Sequence, residues 1–268
     1  MSYKIGICGI GVVGSAILNC FEKIGLPIEF YDKYKNNGIG SKEYLLSTDI
    51  IFLCLPTIYS ENKKEYDKSE LYEICTYLST NKYKGLVVVK STVEPGTCRN
   101  LYKKFNLSIL HNPEFLTART AEEDFENQSH IVIGGIDKDD KNIKCLKDFY
   151  TKYWKDAKVS IANYEESEIM KICINSFYAI KIQFFNEIYA ITETFEGSSY
   201  DNVVSMMIKN DWISPNHVTV PGTDGKLSYG GMCFPKDTNA LYQLMLKRKT
   251  ICDVLGSTIS ERNKMRND

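Results

Sequence analysis

The chain has 268 residues, 43% hydrophobic and 25% charged, with 33 basic and 34 acidic side chains and a formal net charge of −1. That composition belongs to a globular protein large enough for one large domain or two modest ones. The charge balance excludes nucleic acid or an anionic membrane as the main electrostatic partner.

From the N-terminus, the apolar run 3–8 predicts a strand, and Gly9-Ile10-Gly11-Val12-Val13-Gly14 then opens a helix reaching about Ile24. A second strand, Ile28–Tyr31, ends at Asp32. Asp49–Leu55 reads as a third, buried strand stopped by Pro56, and Leu86–Lys90 as a fourth. Leu107–Leu110 and Ile131–Ile133 read as two more. Helical patterns fill the intervals around 69–80, 96–105 and 138–153. Strands alternating with helices argue for an α/β fold with a mostly parallel, doubly wound sheet of Rossmann type.

After about residue 160 the strand pattern stops. Glu165 to about Phe195 contains neither proline nor glycine and predicts one long central helix. Further helices are expected at 200–209, 236–248 and 251–264, with a structured loop bearing glycine and proline over 210–234. The expected organisation is a dinucleotide-binding domain over 1–160 and an all-helical domain over 161–268.

The glycine loop has the right surroundings for a nucleotide cofactor. A strand precedes it, a helix follows, and Asp32 comes 18 residues after Gly14 at the end of the next strand. Gly9 permits the tight turn, Gly11 lets a pyrophosphate approach the backbone, and Gly14 lets helix pack on strand. The phosphates would then meet the N–H groups of the helix start, at Val12 and Val13. Asp32 would accept the adenosine ribose hydroxyls and repel the extra phosphate of NADP, which favours NAD. Lys33 beside it weakens that discrimination slightly.

Nine cysteines without a CxxC pair argue against a disulfide framework or a zinc site, so no metal is expected and a reducing compartment follows. Eight of them read as small core residues. The start of the chain runs into a strand with no signal peptide, and no apolar run approaches the roughly 20 residues of a membrane span. The expectation is a cytoplasmic protein without a membrane partner.

Cys233 is the exception. It follows Gly230-Gly231, which lets backbone approach a ligand, and precedes Pro235, Lys236 and Asp237, where a helix is expected to begin. A cation and a helix start both stabilise a thiolate, which makes it a usable nucleophile. In the long helix, Lys171 and Asn175 lie four apart, with Ala179, Ile182 and Asn186 continuing that face. They serve either a domain interface or a developing oxyanion. Glu114, in His111-Asn112-Pro113-Glu114-Phe115-Leu116, follows a predicted strand at the sheet edge, either as a solvated loop carboxylate or as a general base for water.

These segments together resemble the UDP-glucose dehydrogenase family, within the nucleotide-sugar dehydrogenases. The resemblance covers most of the chain: GIGVVG, LPT at 55–57, KSTVEPGT at 90–97, NPEFL at 112–116, KICINSFYAIKIQFFNE at 171–187 and GGMCFPKDT at 230–238. It implies oxidation of a sugar's primary alcohol twice, with two NAD and one water, UDP-glucose giving UDP-glucuronate. Cys233 would carry the thioester, Lys171 and Asn175 would stabilise the oxyanion, Asp237 and Thr92 would position water, and Glu114 would be the base. Pro56, Thr57, Thr92 and Lys236 would lie at the cofactor. Glu114, Phe115, Leu116, Lys171, Asn175 and Gly230 would line the sugar nucleotide.

The resemblance also implies a homodimer through the long helix, whose apolar residues surround most of its girth. Two departures stand out. Ala118 occupies a place where many relatives have a second glutamate, with Arg119 beside it. A third, C-terminal UDP-binding domain, usual in the family, is not among these 268 residues; a site lacking that wall would hold UDP less tightly. Three other readings compete: a GDP-mannose dehydrogenase, a protein that binds NAD and a nucleotide-sugar with little turnover, and a two-domain hydroxyacid dehydrogenase. The last needs no cysteine.

Overall fold

A computed structural model describes residues 3–137 and 140–268. The chain begins with β1 (Ile5–Cys8), α1 (Val12–Lys23), β2 (Ile28–Asp32), β3 (Ile39–Gly40), α2 (Lys42–Leu45) and β4 (Ile50–Leu53). A two-stranded ribbon, β5 (Tyr59–Ser60) and β6 (Glu65–Tyr66), precedes α3 (Ser69–Thr80), β7 (Leu86–Val89), α4 (Thr97–Phe105) and β8 (Ser108–His111). Then come α5 (Ala121–Glu126), β9 (His130–Gly135), α6 (Lys141–Tyr153), β10 (Lys158–Asn163) and α7 (Tyr164–Thr192). The last helices are α8 (Tyr200–Ile208), α9 (Phe234–Lys247) and α10 (Asp253–Met265). The chain forms two compact units, Met1–Ile58 with Tyr66–Lys171, and Tyr59–Glu65 with Ile172–Asp268.

The first unit holds an eight-stranded sheet in the order β10-β9-β8-β7-β4-β1-β2-β3. Strands β2, β1, β4, β7 and β8 run parallel, with Ile5 opposite Ile28 and Ile50 opposite Leu86. The central strands alternate between two cores. Ile5 and Ile7, Ile50 and Phe52, and Leu86 and Val88 face one layer with α1, α5 and α6. Ile51 and Leu53, with Val87 and Val89, face the other with α3 and α4. Side chains alternate along a strand, so a sheet covered on both faces needs apolar residues at every position. That is why Ile50–Leu53 and Leu86–Val89 are unbroken apolar runs, each fully buried.

The mostly parallel, doubly wound sheet and the long helix α7 agree with the expectation. The edges differ. β9 runs antiparallel to β8, and β10 pairs parallel to β9, adding a strand the sequence pattern did not suggest. β10 alternates exposed and half-buried residues, as an edge strand does, so it lacks the apolar run that marks the centre. Short β3 and α2, and α5, were also unforeseen. The helix expected over 138–153 is α6, and the first two of those positions lie outside the described residues.

Beyond β10 the described residues form helices and loops only. In the second unit, Phe185 of α7 packs with Tyr200 and Val204 of α8 and with Val218 and Val220 of the following loop. The loop expected over 210–234 ends as Phe234 starts α9. No helix among the described residues is long and apolar enough to cross a membrane.

Candidate functional site

The glycine loop shows what each glycine does. Gly9 has φ +91°, and a Cβ there would lie 2.5 Å from the Cys54 carbonyl oxygen. A Cβ on Gly14 would lie 1.8 Å from the Gly9 carbonyl oxygen, so the helix start presses directly on the turn. Over Gly11 a Cβ would meet nothing within 4 Å. Gly11 is also the N-cap of α1 and supplies no side-chain cap to the N–H groups of the first helical turn, which begins at Val12 and Val13. Open space above uncapped amides at the positive end of a helix suits a pyrophosphate.

Asp32 ends β2 beside this turn. Its Oδ2 accepts from the Ile10 N–H at 2.6 Å, and its Oδ1 accepts from the Tyr34 and Lys35 N–H groups at 2.8 Å each. Partial burial works against its charge, but the three backbone donors outweigh it and hold the carboxyl below its usual range. Three of its roughly four acceptor positions are thus used, leaving Oδ2 able to take a ribose hydroxyl. Lys33 turns to Glu73 at 2.8 Å and Glu70 at 3.8 Å. The cation that reaches the turn is Lys35, whose Nζ donates to the Ile10 carbonyl at 2.9 Å and to Ser15 Oγ at 3.2 Å. Sequence reasoning passed over Lys35 because it lies on an irregular turn whose direction no periodicity indicates.

At the carboxyl ends of β4 and β7, the 55–57 and 90–92 segments are stitched together. Ser91 Oγ donates to the Leu55 carbonyl at 2.7 Å and accepts from the Leu55 N–H at 3.0 Å. Thr57 Oγ1 donates to the Thr92 carbonyl at 2.7 Å, and both threonines are buried, while Pro56 is exposed. On the loop after β8, Glu114 pairs with Lys171 at 3.3 Å, and Glu114 Oε2 accepts the Leu116 N–H at 2.6 Å. The Lys171 ammonium lies 5.3 Å from the Phe115 ring centroid, and that ring stacks on His130. A nearly buried lysine beside a carboxylate puts a positive charge where a developing negative charge could be stabilised. Ala118 and Arg119 are exposed farther along the loop.

In the second unit, Cys233 is the exposed cysteine and the N-cap residue of the 14-residue α9, which has no side-chain cap. Its carbonyl accepts the Asp237 N–H at 3.0 Å. The Asp237 side chain is fully buried; its Oδ2 accepts from Asn175 Nδ2 at 2.6 Å and its Oδ1 pairs with Lys236. Asn175 is thereby fixed in one rotation by a carboxylate from the same turn that presents the cysteine. Gly230 is half-buried against Arg266, where a Cβ would lie 2.3 Å from a guanidinium nitrogen. Arg266 Nη1 donates to the Ser228 carbonyl at 3.3 Å, and Arg262 Nε to the Tyr229 carbonyl at 3.3 Å. Asn186 of α7 accepts the Ser228 N–H at 2.9 Å. These anchors were invisible in sequence because they lie more than 30 residues from the loop they hold.

The other cysteines divide evenly. Cys8, Cys20, Cys75 and Cys98 are buried, whereas Cys54, Cys145, Cys173 and Cys252 are only partly covered. Burial pushes the Cys54 thiol up to about 12 and the Cys20 thiol up to about 11, which makes both poor nucleophiles. Among the described residues no cluster of His, Cys, Asp and Glu could hold a metal ion.

Comparison with known proteins agrees with this architecture. Residues 35–154 match the NAD binding domain of the UDP-glucose/GDP-mannose dehydrogenase family, and residues 165–264 match that family's central domain. UDP-glucose 6-dehydrogenase of Rickettsia prowazekii is 33% identical over 243 residues, 88% of this chain and 53% of that protein. The chain thus spans about half the length of the curated relatives it matches. A UDP-glucose dehydrogenase structure from Pyrobaculum islandicum aligns with TM-score 0.86 at 23% identity, over 98% of this chain and 68% of that one. A Mycobacterium tuberculosis 3-hydroxyisobutyrate dehydrogenase aligns with TM-score 0.75 at 16% identity, over 97% and 92% of the two chains, and shares the fold. NAD is the cofactor of the matched N-terminal domain. With both family domains matched in order over most of its length, the chain belongs to the UDP-glucose/GDP-mannose dehydrogenase family.

Proposed function

We propose that this chain performs the NAD-dependent double oxidation of a nucleotide-sugar, UDP-glucose to UDP-glucuronate, through a thioester on Cys233. NAD, bound through Gly9, Gly11, Val12, Val13, Gly14 and Asp32, supplies the hydride acceptor for both oxidations. The residues at 1–160 serve the cofactor and those at 161–268 carry the nucleophile. The observation that carries the reading is the α9 N-terminus, where exposed Cys233 precedes buried Asp237, itself bonded to Asn175.

The first oxidation takes the primary alcohol to an aldehyde, losing a hydride from carbon and a proton from oxygen. Cys233 sulfur then forms a bond to the aldehyde carbon, and the carbonyl electron pair moves onto oxygen. Lys171 and Asn175 donate to that oxyanion, and Asp237 holds the Asn175 amide in place for it. Loss of a second hydride from the same carbon gives the thioester. Water, positioned by Thr92 and Asp237 and deprotonated by Glu114, attacks the thioester; the C–S bond breaks and the thiolate returns. Thr57 and Lys236 would lie at the cofactor, with Phe115, Leu116 and Gly230 along the sugar nucleotide.

UDP-glucose is favoured because relatives about one-third identical carry that name; GDP-mannose is the alternative sugar nucleotide. Incubating the chain with NAD and UDP-glucose, GDP-mannose or UDP-N-acetylglucosamine, and counting NADH per sugar consumed, tests the reading. Two NADH per UDP-glucose are expected. One per sugar would point to simple alcohol oxidation, and binding without NADH would favour a binding protein.

A homodimer through α7 belongs to the same reading. Phe177, Phe184 and Ile191, at seven-residue spacing, are 61%, 55% and 56% exposed. Side chains at that spacing share one helix face, and an apolar stripe of this kind is self-complementary about a two-fold axis. Light scattering at micromolar concentration should give twice the monomer mass; a monomer would rule this interface out.

A further inference from the structure

Lys90 follows β7 and is 2% exposed, an uncommon place for an ammonium. Its Nζ donates to Asn112 Oδ1 at 3.0 Å and to the Pro113 carbonyl at 3.4 Å. The same Asn112 oxygen accepts from the Tyr150 hydroxyl of α6 at 2.5 Å. Asn112 Nδ2 donates to the Val132 carbonyl of β9 at 2.7 Å, and its backbone N–H to the Val89 carbonyl at 2.9 Å. The Asn112-Pro113 segment is therefore gripped from β7, β9 and α6, and the next residue is Glu114.

A buried ammonium is costly even when hydrogen-bonded, and an apolar side chain of similar volume would fill the space at lower cost. Fold stability alone thus gives poor reason for a lysine here. Burial lowers its hold on the proton to about 8, Cys54 and Glu114 oppose that, and nearby Lys171 adds to it. Lys90 thus lies within electrostatic reach of both members of the Glu114–Lys171 pair.

We propose that Lys90 is a positioning residue for Glu114: by clamping Asn112 and Pro113, it fixes the carboxylate that faces Lys171. The inference deepens the reading of Glu114 as the base of thioester hydrolysis and rests on it. Lys90 touches neither cofactor nor sugar in this scheme. It acts only through the Asn112-Pro113 segment.

The test compares the full chain with Lys90→Met and Tyr150→Phe variants. Hydrogen exchange across 111–117 should quicken about tenfold in Lys90→Met, with β1 and β4 amides unchanged, because only the loop's anchor is lost. Tyr150→Phe should loosen the same segment less, and it carries the test if Lys90→Met does not fold. With NAD and UDP-glucose, Lys90→Met should keep its first NADH burst, slow steady turnover about tenfold or more, and accumulate acylated Cys233 by mass spectrometry. In a Glu114→Gln background the Lys90→Met change should add less than about twofold, since both act on one step. Unchanged exchange at 111–117, or fully multiplicative losses in the double variant, would overturn the proposal. If the parent chain makes no NADH but the loop still loosens, the reaction reading falls while the clamp stands.

Discussion

Most candidate residues of the first unit lie at the ends of strands, whereas those of the second lie on two helices, α7 and α9, and on the long loop before α9. At the glycine turn, Gly9 and Gly14 are fixed by backbone collisions, since each added Cβ would strike a carbonyl oxygen. Around Cys233 the fixing is done by side chains: Asp237 holds Asn175, and Arg262 and Arg266 hold the loop before it. Backbone constraint leaves a mark on the sequence, because only glycine meets it. Side-chain constraint leaves little mark, because several residue types at distant positions could supply it. The first unit is accordingly the more legible of the two, and substitutions should act differently in each.

The largest effect is expected in the second unit. Cys233→Ser removes the sulfur that forms the thioester, so carboxylate production should fall by about a thousandfold or more. Because Cys233 is exposed, the thermal midpoint should stay near that of the parent chain. NADH titration should give unchanged affinity. Carboxylate formation at the parent rate would show that the exposed thiol takes no part.

The glycine turn separates fold from ligand within one motif. Gly14→Ala drives a Cβ to within 1.8 Å of the Gly9 carbonyl, and such overpacking costs about 1–3 kcal/mol or more. Stability and NADH binding should fall together. Gly11→Ala meets nothing within 4 Å, so urea unfolding should be nearly unchanged while NADH affinity drops about tenfold. Equal NADH affinity for Gly11→Ala and the parent would break the assignment of the opening to the pyrophosphate.

What the sequence disclosed follows the same division. The central strands and the GIGVVG turn were legible because burial on both faces forces unbroken apolar runs and because tight turns demand glycine. β10 and the antiparallel direction of β9 were not, since an edge strand shows a weaker pattern and strand direction depends on partners far along the chain. At the site, Glu114 and Lys171 were identified separately, but their 3.3 Å pairing was beyond any spacing rule. The cation reaching the turn is Lys35, and only the path of the chain after β2 distinguishes it from Lys33. Buried Lys90, His111 and Glu168 were missed for one reason: polarity in a sequence argues for the surface, and only tertiary hydrogen bonds reverse that.

Glu168 gives the most gradual effect and the clearest sign. It lies fully buried at the start of α7 and accepts the Gly96 and Cys98 N–H groups at the N-terminus of α4. Burial raises its carboxyl to about 7; those two N–H groups and the Cys98 thiol oppose this, while Glu165 adds to it. The folded state thus holds a proton that the unfolded chain releases near 4.5, and Glu168's contribution is full below 4.5 and is lost as pH rises to about 7. His111 has the opposite slope: burial, with a smaller push from Lys90, lowers it to about 3, so its contribution is present above 6.5 and is lost as pH falls toward 3. Between 4.5 and 6.5 the two oppose, and a melt of the parent chain alone would hide both. Glu168→Gln isolates one of them. Relative to that variant, the parent should lose at most roughly 1.4 kcal/mol per pH unit from 4.5 to 7, measured as urea midpoints at several pH values. Parallel pH curves for the two proteins would mean that the amide pair at α4 already holds the carboxylate charged, and that α4 is capped by an anion at neutral pH.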